Sequence, residues 1–88
     1  MLRISIADNS EQSVRLTVEG WLTGPWVGEL RIQSEQALSD AKKVTLDLGK
    51  LWFVDSQGAA LLRELASRQV AQVNCSTFIR EQLKETIS

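Results

Sequence analysis

FVDSQG, residues 53–58, joins two stretches whose apolar residues keep different periods. Before it, Val44, Leu46 and Leu48 alternate with Thr45 and Asp47, the period of two of a half-buried strand. After it, Leu61, Leu62, Leu65 and Ala66 recur at three and four, the period of a helix, which is expected over about 57–68. Arg63, Glu64 and Arg68 form its solvated face. The backbone therefore turns at Asp55–Gly58 and leaves a serine at the mouth of a helix. The first N–H groups of a helix need acceptors from outside it. Either Ser56 or Asp55 can serve as the N-cap, worth about 1 kcal/mol. Gly58 fits a tight first turn.

Working outward, Leu2, Ile4 and Ile6 alternate with Arg3 and Ser5, and Val14, Leu16 and Val18 alternate with Arg15, Thr17 and Glu19. The polar run Asp8-Asn9-Ser10 between them predicts an antiparallel hairpin that Gly20 closes. Thr23-Gly24-Pro25 is a helix start, since proline tolerates the first turn. The helix is expected over about 25–40, with Trp26, Leu30, Ala37 and Leu38 on its inner stripe and Val27 on the flank. Trp21 and Trp26 could form a ligand-binding aromatic pair, but the stronger reading is of large anchors packing that helix on the sheet. Gly49 and Lys50 read as a turn, followed by the apolar run Leu51–Val54. Of Trp52 and Phe53, alternation demands that one face out. Phe53 is assigned to the core and Trp52 is a candidate partner contact. VAQVNC, residues 70–75, predicts a fourth strand ending in Cys75, a small buried hydrophobe. Ser76 caps a last helix with Ile79, Leu83 and Ile87 inward and Phe78 on the same face. The order is ββαβαβα, and the final strand–helix–strand unit requires parallel pairing with a right-handed crossover. The expected fold is α/β: a single domain, residues 1–88, with a mixed four-stranded sheet and three helices.

Composition excludes several functions. The chain has 88 residues, 43% hydrophobic and 24% charged, with a net charge of −1. No basic run or stripe suggests nucleic acid, and no apolar run reaches the length of a membrane span. The amino-terminal MLRISIADNS lacks the sections of a signal peptide, and the one cysteine fits a reducing compartment, so the expected location is cytoplasmic. Histidine is absent, which removes the commonest general base and the commonest zinc ligand. A nucleophilic Ser56 would have only Asp55 beside it, a poor base for a hydroxyl. No phosphate-binding glycine motif is present. No enzyme activity, cofactor or metal is expected. A phosphate on Ser56, by contrast, would carry a charge of about −1.5 to −2 at the positive end of the helix dipole. The helix tolerates it, and a neutral docking surface becomes anionic.

VTLDLGKLWFVDSQGAALLREL, preceded by VEGWLT and followed by VNCSTFIREQL, resembles a STAS domain, the fold of bacterial anti-sigma factor antagonists. The resemblance runs from about Leu16 to Leu83 and is most specific over Val54–Leu62. It implies that Ser56 is the serine phosphorylated by a partner, an anti-sigma factor with kinase activity, and that Asp55 is the acid beside it. It implies a signalling role in transcription control, with the partner bound in the unphosphorylated state and ATP belonging to the partner. Gln57 and Gly58 form the setting of that serine, with Thr23 and Trp52 on the same partner-binding surface. Thr23 stands where the family usually has an acid, Ala59-Ala60 replaces the common Leu-Gly, and the family's usual last strand and helix are lacking. The resulting exposed sheet invites a partner or a homodimer. The alternative implied by the same turn is the small STAS subunit of a bacterial phospholipid-transport ABC ATPase, which is not phosphorylated.

Overall fold

The computed structural model describes residues 2–85. Strands β1 (Leu2–Asn9) and β2 (Ser13–Leu22) form the expected antiparallel hairpin, with Leu2 opposite Gly20 and Ile6 opposite Leu16. Helix α1 (Pro25–Ser39) leads to β3 (Lys43–Val54), α2 (Ser56–Ser67) to β4 (Ala71–Val73), and α3 (Thr77–Glu85) follows. The sheet order is β1-β2-β3-β4, with β2–β3 and β3–β4 parallel. The mixed four-stranded sheet, the three helices and the ββαβαβα order are as expected.

One face of the sheet carries the core. Val14, Leu16, Val18 and Leu22 of β2 and Val44, Leu46, Leu48, Leu51 and Val54 of β3 are buried with Val27 and Leu30 of α1, Leu61, Leu62 and Leu65 of α2 and Ile79 of α3. Burying each such side chain contributes roughly 1.5–3 kcal/mol. The alternate residues Arg15, Thr17, Glu19, Thr45 and Asp47 line the other face and are half-buried. On the outside of the helical layer, Arg31 and Glu64 pair at 2.6 Å and Arg68 and Glu35 at 2.9 Å, stitching α1 to α2.

Several expectations need correction. Gly20, opposite Leu2, is the last hairpin pair as expected, but β2 itself runs on to Leu22. Gly49 and Lys50 do not turn the chain. They lie inside a continuous twelve-residue β3. The register between β2 and β3 slips by one residue between the Thr17–Asp47 and Glu19–Lys50 pairs, and again between Gly20–Leu51 and Trp21–Phe53. Each slip is a β-bulge, which inserts an unpaired residue and breaks the alternation. The buried positions of β3 accordingly run 44, 46, 48, 51, 54. That spacing leaves both Trp52 and Phe53 outside the core, against the expectation that Phe53 is buried. In α1, Leu30 is buried and Ala37 and Leu38 pack against the core as expected, but Val27 and Ser34 are the other buried positions and Trp26 is 37% exposed. Trp21 and Phe78 are also exposed rather than core anchors. β4 is shorter than expected, and Cys75 beyond it is half-buried against the core. Ile87 lies outside the described residues.

Candidate functional site: the α2 corner and an aromatic groove

The turn at Asp55 is held from several directions. Asp55 is the N-cap of α2, and its Oδ1 accepts from the Gly58 N–H at 2.7 Å. Its Oδ2 accepts from the Gly24 N–H at 3.0 Å, tying the β2–α1 loop to the start of α2. Its own N–H donates to the Leu22 carbonyl at 3.2 Å. Gly58 is where α2 meets the end of β2: a Cβ there would stand 2.5 Å from the Leu22 carbonyl oxygen. Only glycine allows that approach. Gln82 of α3 completes the arrangement. Its Nε2 donates to the Val54 carbonyl at 3.2 Å and its Oε1 accepts from the Val54 N–H at 3.4 Å. β4 pairs with β3 only from Thr45 to Asp47, so a side-chain amide here does the work of a missing strand neighbour. Gln82 was not legible in the sequence, where it is one polar residue among several on an amphipathic helix.

Ser56 is the first residue of α2 and is exposed, as is Gln57. The cap is therefore Asp55, and the Ser56 hydroxyl is not needed for it. Asp55 itself is half-buried and Gly58 buried, so their part in the site is to fix the corner that presents Ser56.

Beside this corner lies an open apolar groove of about 640 Å³, lined by Trp21, Thr23, Trp52, Phe53 and Phe78. Trp21 and Phe53 are cross-strand partners on β2 and β3. Thr23 joins groove to corner, being followed by Gly24, whose N–H Asp55 holds. The structure thus gathers Thr23, Trp52, Asp55, Ser56, Gln57 and Gly58 at one end of the sheet. It adds Trp21, expected as a packing anchor, and Phe53 and Phe78, expected on inward faces.

Among the described residues no group of three His, Cys, Asp or Glu side chains is arranged to hold a metal, and no helix is long and apolar enough to cross a membrane.

A two-layer α/β domain with an exposed serine at a strand-to-helix corner is the architecture of a STAS domain. The chain belongs to that family: residues 6–81 match the family model described as Mlab, STAS domain. Among solved structures, the unphosphorylated anti-sigma factor antagonist SpoIIAA superposes with a TM-score of 0.73 at 17% identity, covering 93% of this chain and 82% of that one. An uncharacterized protein of the DUF3478 family from Shewanella loihica, with a SpoIIAA-like fold, matches with a TM-score of 0.59 at 17% identity, over 88% of this chain and 69% of that one. No curated protein matches the chain.

Proposed function

We propose that this STAS domain is a cytoplasmic regulatory binding protein without catalytic activity of its own, resembling an anti-sigma factor antagonist. Its partner is an anti-sigma factor with kinase activity. It docks on the surface around the amino-terminus of α2, with Ser56 at its centre, Gln57 beside it, and Thr23 and Trp52 at its edge. Phosphorylation of Ser56 by that partner releases it. The observation that carries this reading is the division of labour at the corner. Asp55 caps the helix, so Ser56 is exposed with its hydroxyl not required by the fold. A phosphate there adds about two negative charges near the free N–H groups of the first turn, which accommodate it. The partner meets a changed charge on an unchanged backbone.

A second reading is favoured by the description of the matching family model: the STAS subunit of a phospholipid-transport ABC ATPase, bound stably and not phosphorylated. Incubation with ATP and the candidate kinase separates the two. Phosphate incorporated at Ser56, absent in Ser56→Ala, supports the switch. Stable co-purification with a transport ATPase, and no incorporation, supports the second reading.

A further inference from the structure

The aromatic groove is more than the Ser56 corner needs. Trp21 is 56% exposed, Trp52 67%, Phe53 39% and Phe78 57%. With up to about 250 Å² for each aromatic side chain, these four present at most about 500 Å² of aromatic surface. That is near the upper end of the largest patch a typical monomer carries. Aromatic side chains gathered in one concave patch are also the composition of an interface core.

We infer that the groove is the core of a homodimer interface, in which a two-fold axis sets the Trp21–Trp52–Phe53–Phe78 surface of one chain against the same surface of a second copy. Two features select a second copy. The first is area. Two such patches bury at most about 1,000 Å² between them, at the lower bound of a specific interface and below the standard size of about 1,600 Å². An interface of that size suits a reversible dimer rather than an obligate one, since obligate interfaces run to about 2,000 Å² and more. The second is charge. Among the described residues no lining side chain is charged, so the patch meets its own image without like-charge contact. On the strand positions next to it, Glu19 and Lys50 stand 4.0 Å apart and supply one charge of each sign, a rim that is complementary to itself. The inference goes beyond the proposed switch and does not depend on phosphorylation. Because Thr23 belongs to both the groove and the corner, a partner seated on Ser56 competes with the second copy.

Sedimentation velocity on the full chain over a dilution series tests this. The expected result is a concentration-dependent shift from the mass of one chain toward twice that mass. Trp52→Arg and Phe78→Arg each abolish the shift with unchanged far-UV circular dichroism. Trp26→Arg, on a separate hollow formed with Leu2 and Glu29, leaves it intact. Two substitutions are made in the groove so that misfolding of one leaves the other to decide. A wild-type chain that stays monomeric at high micromolar concentration overturns the inference and leaves the groove to a heterologous partner. A dimer that survives both groove substitutions but is lost on Ile6→Lys, at the open edge of β1, overturns it in favour of strand-edge pairing.

Discussion

Two acid–glycine pairs on β3 and just beyond it do different work. In Asp47-Leu48-Gly49 the carboxylate Oδ1 accepts from the Gly49 N–H at 3.0 Å and from Asn74 Nδ2 at 3.1 Å, while Oδ2 takes Arg15 Nη2 at 3.0 Å. In Asp55-Ser56-Gln57-Gly58 the carboxylate accepts only from backbone, at Gly58 and Gly24. The first pair closes a bulge where β4 has ended, and ties three elements together with side chains. The second turns a strand into a helix and fixes the loop beside it. The bulge pair is satisfied inward, and no exposed reactive group stands between its acid and its glycine. The corner pair is satisfied by backbone and leaves Ser56 facing out. A site is built where an acid supports the backbone so completely that its neighbour is released from structural duty.

The largest effect that separates the two regions is expected at the second glycine. Gly58→Ala puts a methyl group 2.5 Å from the Leu22 carbonyl and 3.0 Å from Leu22 Cγ, so α2 must shift. Overpacking of this kind costs about 2–3 kcal/mol. For a domain of this size that lowers Tm by roughly 10–20 °C, readable by circular dichroism. At Gly49 the nearest atoms to an added Cβ are Asp47 Oδ1 at 3.2 Å and Asn74 Cβ at 3.3 Å. These contacts ask for a shift of only a few tenths of an ångström, against a backbone oxygen at 2.5 Å for Gly58, so Gly49→Ala is the milder change. A Gly49→Ala loss as large as that at Gly58 would erase the contrast.

Acid tests the other half of the comparison. The hydrogen bond from the Gly49 N–H, then those from Arg15 and Asn74, hold the Asp47 carboxyl below the usual carboxylate range. A depressed folded-state value means that the stabilisation is fully present above the unfolded value, about 3.9. It is lost as pH falls below that and through the folded value. In urea titrations Asp47→Ala is expected to be less stable than wild type at neutral pH by about 1.5–3 kcal/mol, the range for hydrogen bonds to a charged group. The gap should close as pH falls below about 4. A gap independent of pH would mean that packing, not the charged acceptor, stabilises the bulge. The Arg15 side chain is 43% exposed, so salt should weaken that part of the effect.

The sequence disclosed these two regions unequally, and the reason is physical. The corner was legible because two periodicities change there, and because Asp, Ser and Gly at a helix start each have a local reason to be present. The bulge was not, because Gly49-Lys50 carries the residue types of a turn. Only the partner strand determines whether such a pair reverses the chain or adds one residue to it. The same bulges misassigned Phe53: strict alternation assumes an unbroken ladder, and β3 slips twice. Phe78 and Trp21 were taken as core because size and hydrophobicity favour burial, yet the groove has no opposing element among the described residues to cover them. In α1 only Trp26 departs from the expected stripe, because Val27 takes the inward place at the helix start and the buried position at the centre is a serine.

That serine gives the smallest effect. Ser34 is fully buried, and its Oγ has no hydrogen-bond partner among the described residues. Removing an unpaired buried hydroxyl from a helix interior is favourable on both desolvation and propensity grounds. Ser34→Ala is expected to raise stability by a few tenths to about 1 kcal/mol in urea titration. A loss of stability would mean that the hydroxyl is satisfied in solution.

The central claim is that Asp55 holds the corner and Ser56 is free to carry a signal. Thermal unfolding of Asp55→Ala and Ser56→Asp, measured side by side on the isolated chain, tests it without any partner. Asp55→Ala is expected to lose about 1–2 kcal/mol, the worth of an N-cap with a second backbone bond. Ser56→Asp should remain within about 0.5 kcal/mol of wild type or gain slightly from the helix dipole. A Ser56→Asp chain that loses as much stability as Asp55→Ala would contradict the account, because the serine would then be part of the fold's support.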